Sequence, residues 1–375
     1  MRVGILGGGQ LGRMLALAGY PLGLHVRFFD PAEQTCVDEL GPRVRAEYDD
    51  LDALASFAQG LDVITYEFEH VPLEAARVLA ATGVPLYPPI EALEVAQDRL
   101  VEKRFLNANG VPTAPFEAVD SLEGLRAAVS RLGMPAVLKT RRFGYDGKGQ
   151  WVLRSPADIE AAWAELGGVP LILEGFVAFQ RELSVLAVRA VDGAVAYYPL
   201  VANHHADGIL RYSIAPAPAV STALQADAEA LASHVLTALR YVGVLAIELF
   251  EVDGRLVANE IAPRVHNSGH WTIEGADTSQ FENHLRAVAG LPLGSAAARG
   301  CSVMVNFIGA LLPIDAVAAV PGAHVHLYDK APRPGRKIGH VTLCAANADA
   351  LASRMPQFMR TLSTVEGVSV EEFAP

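Results

Sequence analysis

The sequence predicts a mixed α/β and α+β protein that begins with a Rossmann-like parallel-sheet domain. Apolar, strand-like runs alternate with helical patterns over residues 2–87, which is typical of parallel sheets covered by helices. From about residue 178 the pattern becomes rich in strands and hairpin turns. The chain has 375 residues, of which 51% are hydrophobic and 19% charged, so it is long and apolar enough for two or three folded domains.

The first predicted strand ends in a glycine-rich turn. Residues 2–6 are apolar, and Gly7, Gly9 and Gly12 follow in the spacing Gly-x-Gly-x-x-Gly before a helical pattern. Bare backbone amides at such a turn, together with the helix N-terminus, can receive a phosphate. Asp30 closes the second strand, where a dinucleotide-binding domain carries a ribose-binding acid, so a nicotinamide enzyme is one interpretation. Binding of a phosphate monoester is the other.

The third strand carries acidic residues where it ends. Residues 63–68 predict this strand, with helices near 51–59 and 72–82 and a short strand at 85–87. Glu67 and Glu69 lie at its carboxyl end, which is the edge where parallel sheets bind ligands. Solvated charges at a strand end are the alternative. Pro88-Pro89 then interrupts the alternation, and we predict a first domain spanning residues 1–96.

The second predicted domain, residues 97–177, contains a glycine-rich loop. Helices at 98–108, 121–132 and 156–166 and strands at 136–139, 150–153 and 171–174 surround residues 140–149. Counted from Lys139, this stretch of eleven residues holds three glycines and four cations, which is typical of a flap that folds over polyphosphate. It lacks the Gly-Lys-Ser/Thr of a P-loop. A solvated loop is the alternative. The neighbouring apolar strands suggest an adenine pocket.

The third predicted domain, residues 178–375, is mainly antiparallel. A hairpin is predicted from 181–191 and 194–201 across Asp192-Gly193, and residues 203–208 close it. Helices follow at 223–240 and 277–289, and strands at 301–309, 324–328 and 338–345. His204 and His205 suggest zinc, but no third ligand has supporting spacing, so we favour polar contacts to a ligand.

The hairpin within residues 246–271 predicts a specific arrangement of two acids. Apolar residues alternate with Glu248 in the first strand and with Glu260 in the second, and Asp253-Gly254 predicts the turn. A plain two-residue loop would place Glu248 opposite Asn259. The apolar pattern instead requires Val257 to share the buried face of the first strand, which predicts an extra loop residue or a bulge that puts both glutamates on the polar face.

Two facing carboxylates favour a bound cation. At a Cβ separation of about 5 Å they repel each other and raise each other's pKa unless a cation lies between them. Mg²⁺ prefers a few carboxylates together with substrate phosphate oxygens, with Mn²⁺ as the alternative ion. The competing interpretation is two solvated glutamates on an exposed hairpin.

Two polar segments follow this hairpin. Residues 264–271 contain Arg264, His266 and Asn267, of which Arg264 can clamp an oxyanion and the other two offer further hydrogen bonds. Residues 330–337 hold four cations stiffened by two prolines, which predicts a phosphate clamp in an acidic chain. Chance polar surface is the alternative for each segment.

Charge and composition limit the possible partners. The formal net charge is −12 and no long basic run occurs, so we expect no nucleic-acid partner. No apolar run reaches membrane-spanning length and the N-terminus lacks the pattern of a signal peptide, so we expect no membrane partner and a cytoplasmic protein. Three widely spaced cysteines form neither a disulfide framework nor a zinc pattern. The apolar content and the strand-rich third domain suggest a homodimer.

The order and spacing of these parts resemble the ATP-grasp fold with an N-terminal pre-ATP-grasp domain. Within that fold, GGGQLGRM, RRFGYDGKGQW, EIAPRVHNSGHW and YDKAPRPGRKIGH resemble the ATP-dependent 5-(carboxyamino)imidazole ribonucleotide synthetases of purine biosynthesis. The resemblance spans almost the full chain. The sequence departs from many ATP-grasp enzymes at Ala262, where an asparagine often follows the second metal glutamate by two positions.

The resemblance implies a role for each matching residue. ATP would contact Arg99, Lys139, Phe143, Gly144, Tyr145, Asp146, Gly147, Lys148, Gly149, Glu174, Gly175, Phe176, Val177, Glu182, His205, Asn259 and Glu260. Glu248 and Glu260 would hold magnesium. Arg264, His266 and Asn267 would bind bicarbonate and carboxyphosphate, with Asp146 and Lys148 as further catalytic residues. Aminoimidazole ribonucleotide would contact Gly9, Gln10, Leu11, Glu67, Glu69, Tyr145, Lys330 and Arg336.

The implied reaction is ATP-dependent carboxylation of aminoimidazole ribonucleotide. Bicarbonate would attack the γ-phosphate, and the carboxyphosphate formed would react with the exocyclic amine behind a closed flap that excludes water. Three rivals remain: an ATP-grasp ligase that activates an amino acid or formate, a nicotinamide dehydrogenase, and a non-catalytic nucleotide sensor.

Overall fold

Three β-sheets form the framework of this computed structural model, which describes residues 1–144, 147–310 and 314–362. The strands are β1 (Arg2–Leu6), β2 (His25–Phe29), β3 (Arg43–Val44), β4 (Val63–Tyr66), β5 (Phe116–Val119), β6 (Ala136–Thr140), β7 (Gln150–Leu153), β8 (Leu171–Gly175), β9 (Arg181–Arg189), β10 (Val195–Tyr197), β11 (Val201–Ala206), β12 (Ile209–Ala215), β13 (Gly243–Val252), β14 (Arg255–Ala262), β15 (Cys301–Ile308), β16 (Ala323–Leu327) and β17 (Lys337–Ala345).

Helices cover these sheets. They are α1 (Gln10–Gly19), α2 (Leu51–Ala58), α3 (Leu73–Ala81), α4 (Ile90–Ala96), α5 (Arg99–Ala108), α6 (Leu122–Leu132), α7 (Asp158–Leu166), α8 (Thr222–Ala238), α9 (Thr272–Gly275), α10 (Gln280–Val288), α11 (Ile314–Ala318) and α12 (Ala348–Leu362), with 3-10 turns at Tyr20–Leu22 and Asn267–Gly269. The predicted mixture of α/β and α+β architecture is confirmed. None of the helices in the described ranges is long and apolar enough to cross a membrane.

The N-terminal sheet is parallel, as predicted, in the order β3-β2-β1-β4. Buried residues of β1 and β4 pack against α2 and α3 on one side, and α1 lies against α10 on the other. Two predicted strand limits are wrong. The strand expected over 63–68 stops at Tyr66, and the strand expected over 85–87 contributes only one bridge, from Leu86 to Ile64.

The second sheet is antiparallel, in the order β5-β8-β6-β7, and packs against α6 and α7. The third sheet has nine strands. Eight follow the order β14-β13-β9-β11-β12-β15-β17-β16, and β10 pairs with β9. The predicted hairpin at Asp192-Gly193 is confirmed by the pairing of β9 with β10. Residues 203–208, expected to close it, instead belong to β11 and the turn into β12, because the chain turns again at Asp207-Gly208.

A buried histidine fixes the N-terminal sheet against the large sheet. The backbone amide of Val244 donates to His284 Nδ1 at 3.1 Å, so Nε2 carries the ring hydrogen and donates to the Thr65 hydroxyl at 2.8 Å. Burial lowers the pKa of His284 to about 3, which keeps the ring neutral. This contact helps to set the distance between the glycine-rich turn and the hairpin β13–β14.

Candidate active site

A cavity of about 920 Å³ lies where the three sheets approach one another. Most of the residues predicted to bind ligands line it, namely Gln10, Leu11, Glu67, Glu69, Arg99, Lys139, Gly144, Gly147, Lys148, Glu174, Gly175, Phe176, Val177, Glu182, His205, Glu248, Asn259, Glu260, Arg264, His266, Asn267, Lys330 and Arg336. Gly9, Phe143 and Gly149 were predicted too but do not line it. Tyr145 and Asp146 lie outside the described residues.

The two glutamates face each other across a β-bulge. Glu248 pairs with Glu260, whereas the next residue, Leu249, pairs with Ala258, so Asn259 is the extra residue in β14. The predicted bulge and the pairing of the two acids are therefore confirmed. The expected burial of Val257 is wrong, because the bulge reverses the alternation before it and turns Ala258 into the core instead.

The electrostatics of this pair suit a divalent cation. Burial, with a further contribution from Glu260, raises the pKa of Glu248 to about 7. The two carboxylates repel each other at the cavity, and a cation between them would relieve this repulsion. The described residues contain no group of three or more His, Cys, Asp or Glu side chains arranged to hold a metal. A metal here would have two protein carboxylates and would take its other oxygens from substrate, which is the habit of Mg²⁺.

Helix α5 holds the bulge from behind. Arg99 Nη1 donates to Glu260 Oε2 at 2.9 Å, and Lys103 Nζ donates to the carbonyl of Asn259 at 3.1 Å. Glu102 Oε1 accepts from the amide of Ile261 at 2.7 Å, and burial raises the pKa of Glu102 to about 8. Sequence reasoning missed Glu102 and Lys103, because nothing local distinguishes them from the solvated charges of an ordinary helix.

Lys103 also connects the bulge to the part of the cavity wall that β6 and β8 form. Glu174 Oε2 lies 3.0 Å from Lys139 Nζ and 3.3 Å from Lys103 Nζ. Burial lowers the pKa of Lys139, and the adjacent Glu174 opposes that shift. One carboxylate oxygen of Glu174 therefore holds two lysines in the buried wall of the cavity, beside the backbone of residues 174–177.

Apolar residues line the cavity beside this backbone. Val137 and Val152 project from neighbouring strands, and Phe176 lies at the end of β8. Phe179 and Phe250 stack with ring centroids 4.6 Å apart. This wall has the apolar, flat-sided character that suits a purine ring, in agreement with the adenine pocket suggested by the sequence.

The paired histidines have different surroundings. His205 lines the cavity and forms a close ion pair with Glu182 through Nδ1. Although burial lowers the pKa of His205, the hydrogen bond with Glu182 and the charge of Glu248 outweigh it and raise the value. His204 stacks on Tyr212, with centroids 4.8 Å apart. Of the two histidines, only His205 therefore lines the cavity.

The loop after β14 forms a polar corner of the cavity. Arg264 Nε pairs closely with Glu69, and this pairing outweighs burial and lowers the pKa of Glu69 to about 2. Burial lowers the pKa of His266 to about 3, so the ring is neutral. Both side-chain polar atoms of Asn267 are shielded from solvent and lack hydrogen-bond partners among the described residues. Such an amide is ready for a ligand, because unpaired buried polar groups are costly.

The glycine-rich turn differs from the prediction. Glu67 is 7% exposed and accepts from the amides of Gly9 and Gly12, the second at 2.7 Å, while Asp30 accepts from the amide of Gly8 at 2.7 Å. A Cβ at Gly9 would lie 2.5 Å from Glu67 Oε1, so this glycine makes room for a carboxylate of the protein itself. The predicted contact of Gly9 with substrate phosphate is therefore not supported, since its amide is already bonded.

The basic segment reaches the edge of the same turn. Lys330 Nζ donates to Gln10 Oε1, and Arg336, Arg333 and Lys337 line the cavity nearby. Burial lowers the pKa of Lys330. This segment thus brings four cations to the cavity, which is the charge that the predicted phosphate clamp requires. Arg333 and Lys337 belong to the predicted clamp, but only Lys330 and Arg336 were predicted individually as ligand contacts.

Comparison with known families covers nearly the whole chain. Residues 1–97 match the ribonucleotide synthetase preATP-grasp domain and residues 104–281 match the ATP-grasp domain. Residues 302–354 match the phosphoribosylaminoimidazole carboxylase C-terminal domain. The predicted ATP-grasp fold with a pre-ATP-grasp domain is thereby confirmed.

Similar individual proteins agree with these matches. The N5-carboxyaminoimidazole ribonucleotide synthase of Pseudomonas aeruginosa is 56% identical over 95% of this chain and 98% of its own. The crystal structure of the synthetase from Thermus thermophilus is 57% identical, with a TM-score of 0.93 over 98% of this chain and 100% of that one. A synthase from Aspergillus clavatus, solved with ADP and 5-aminoimidazole ribonucleotide, is 33% identical, with a TM-score of 0.90 over 97% and 99% of the two chains.

Proposed function

Since the chain belongs to the N5-carboxyaminoimidazole ribonucleotide synthase family of ATP-grasp ligases, we propose that it uses ATP to carboxylate 5-aminoimidazole ribonucleotide. Bicarbonate supplies the carboxyl group, and the products are N5-carboxyaminoimidazole ribonucleotide, ADP and phosphate. The observation that carries the proposal is that one cavity is lined by a facing carboxylate pair, a buried lysine beside apolar residues, and a cluster of cations from residues 330–337.

ATP binds between the second and third sheets in this proposal. Adenine lies against Val137 and Phe176 and hydrogen-bonds the backbone of residues 174–177. Glu182, oriented by its ion pair with His205, holds the ribose. Lys139 and Arg99 meet the phosphates, and the flap 143–149 covers them, with Lys148 as its cation.

Glu248 and Glu260 would hold Mg²⁺, with Mn²⁺ as an alternative ion. The metal would supply positive charge that offsets the negative charge of the nucleotide phosphates. The chain's own part is to keep both carboxylates on one face, and this depends on the bulge at Asn259. Oxygen ligands are what both ions prefer, so the donor set fits.

Bicarbonate binds at Arg264, His266 and Asn267. Its oxygen attacks the γ-phosphorus, the bond to the ADP oxygen breaks, and carboxyphosphate forms. Arg264 is held by Glu69, and the unpartnered amide of Asn267 offers both a donor and an acceptor. These groups stabilise the negative charge that develops on the transferred oxygens.

Aminoimidazole ribonucleotide puts its phosphate against Lys330, Arg336 and the end of the glycine-rich turn at Gln10 and Leu11, all of which line the cavity. Its exocyclic nitrogen attacks the carboxyl carbon, phosphate leaves, and the nitrogen loses a proton. Tyr145 and Asp146 of the flap are proposed to contact this substrate and lie outside the described residues. Flap closure keeps water from the carboxyphosphate.

The experiment is a phosphate-release assay with magnesium and ATP. We expect release that needs both bicarbonate and aminoimidazole ribonucleotide. Release stimulated equally by an amino acid or formate would favour another ATP-grasp ligase, and ATP binding without turnover would favour a nucleotide sensor. Either result would overturn the proposal.

Three broader predictions belong with this proposal. We propose domains at 1–96, 97–177 and 178–375, a homodimer, and a cytoplasmic location. The homodimer is supported by the apolar composition of the chain, with 51% hydrophobic residues. Light scattering of the purified protein at micromolar concentration tests it, and a monomer mass would reject it.

A further inference from the structure

A buried series of hydrogen bonds runs from the large sheet to the ring of His266. The hydroxyl of Ser213 donates to Asn203 Oδ1 at 2.8 Å, and Asn203 Nδ2 donates to Ser184 Oγ at 3.0 Å. Ser184 Oγ donates to Ser268 Oγ at 2.7 Å, and Ser268 Oγ lies 2.9 Å from His266 Nδ1. The four groups between the sheet and the imidazole thus follow one another at hydrogen-bonding distance.

The register of the sheet explains why these side chains meet. Asn203 and Ser213 are direct cross-strand partners on β11 and β12, and Ser184 lies on the neighbouring strand β9. Ser184, Ser213 and Ser268 are 0% exposed. Water therefore does not compete for their hydroxyl groups, and each must find its partner within the protein.

The backbone amide and the hydroxyl of Ser268 together decide which nitrogen of His266 carries the hydrogen. The amide of Ser268 lies 3.3 Å from Nδ1 and has no role other than donor. Nδ1 must therefore be the accepting nitrogen, and the Ser268 hydroxyl, which already accepts from Ser184, donates to it as well. The ring hydrogen is left on Nε2, which lies 3.4 Å from Glu248 Oε1 at the cavity.

We propose that Ser268, Ser184 and Asn203 are positioning residues that fix His266 in its Nε2–H form, as a neutral hydrogen-bond donor to the oxygens of bicarbonate and carboxyphosphate. This inference depends on the proposed function for the identity of the anion. Because Nε2 already carries a hydrogen, His266 does not remove the proton from the substrate amine. Its contribution is to bind and orient an anionic oxygen beside the carboxylate pair.

The first test is spectroscopic and needs no turnover. Long-range ¹H–¹⁵N correlation spectra of ¹⁵N-histidine-labelled protein report which ring nitrogen is protonated, and the His266→Gln spectrum assigns the signals. We expect Nε2 protonated and Nδ1 unprotonated in the unliganded protein. A hydrogen on Nδ1 overturns the proposal, whatever the enzyme's substrate is.

The second test uses Ser268→Ala, which removes the hydroxyl but keeps the backbone amide. We expect partly averaged ring-nitrogen shifts, because the amide that remains 3.3 Å from Nδ1 holds the ring less firmly than the hydroxyl did at 2.9 Å, and the second tautomer becomes partly populated. KM for bicarbonate should rise about ten-fold, with KM for ATP within about two-fold of the wild type. Ser268→Thr, which restores the hydroxyl, should recover both readouts. Unchanged shifts and an unchanged KM for bicarbonate in Ser268→Ala overturn the proposal.

A more distant link and a control complete the design. Ser184→Ala should move both readouts in the same direction by a smaller amount, and it decides the question if Ser268→Ala does not fold. Ser302→Ala removes another buried hydroxyl of the large sheet, one that contacts Cys344 and lies outside the series. An equal effect of Ser302→Ala and Ser184→Ala would show a general packing defect and overturn the proposal. Absence of bicarbonate-dependent phosphate release in the wild type would instead reject the proposed function, and the spectra would still decide the tautomer.

Discussion

Replacing Lys103 with methionine should weaken folding and nucleotide use together. Lys103 is 1% exposed, and its Nζ lies 3.3 Å from Glu174 Oε2 and 3.1 Å from the carbonyl of Asn259. Methionine keeps most of the volume but removes the charge and all three donors. Breaking a buried ion pair costs about 3 to 5 kcal/mol. Lys139 remains 3.0 Å from the same carboxylate oxygen, so we expect a loss near the lower limit.

The assay is urea unfolding of the ligand-free protein, with the free energy of unfolding taken by linear extrapolation. Arg104→Met is the matched control, because Arg104 is the exposed neighbour on α5, and it should change stability by no more than about 0.5 kcal/mol. Lys103→Met should also raise KM for ATP, since Glu174, which holds Lys139, and the bulge each lose a contact. A loss below about 1 kcal/mol, with KM for ATP unchanged, would refute the view that Glu174 needs two cations.

Three further variants test other parts of the site. Glu260→Gln should raise the Mg²⁺ concentration that gives half-maximal activity by at least about 100-fold, because one of two carboxylate ligands is lost, and a normal magnesium titration would contradict the site. Burial lowers the pKa of His284 from 6.5 to about 3. Below pH 6.5 this histidine therefore binds a proton in the unfolded chain but stays neutral in the folded chain, and the free energy of unfolding falls as the pH drops. His284→Gln should therefore make the acid loss shallower by about 1.4 kcal/mol per pH unit in urea unfolding between pH 6 and 4, and equal slopes would refute this. Gly147, in the flap, has φ +75°, and an added Cβ would lie 3.1 Å from a backbone oxygen of the β11–β12 turn. Gly147→Ala should therefore hinder flap closure and let water hydrolyse more carboxyphosphate, which lowers the ratio of carboxylated product to phosphate released. Gly168→Ala, also at positive φ but with open space around it, should keep the wild-type ratio.

The hairpin of the carboxylate pair was predictable because its information is local. Period-two alternation and the Asp253-Gly254 turn together require an irregularity before Glu260, and the structure places it at Asn259. The expectation that Val257 is buried was wrong because of this same irregularity. A bulge exchanges the inward-facing and outward-facing side chains on one side of itself, and the sequence does not show on which side of the bulge this exchange occurs.

Other parts of the site depend on contacts that no local pattern contains. Glu69 and Arg264 are 195 positions apart in the chain, and their pairing lowers the pKa of the Glu69 carboxyl in spite of its burial. Lys103 looks like a solvated residue of an amphipathic helix, yet it is buried because Glu174 and the bulge both approach it. Burial of a charge is decided by its partners, so residues of this kind appear only once the sheets are assembled.

Glu67 has a consequence for which cofactors the N-terminal domain can accept. A dinucleotide would place its pyrophosphate at the amides of the glycine-rich turn, where this nearly buried carboxylate already accepts two hydrogen bonds. A bound dinucleotide would have to displace the Glu67 carboxylate from these amides and leave its negative charge buried without hydrogen bonds. The domain thus has the parallel sheet and glycine-rich turn of a dinucleotide fold, but its own Glu67 side chain occupies the amides that a pyrophosphate would need.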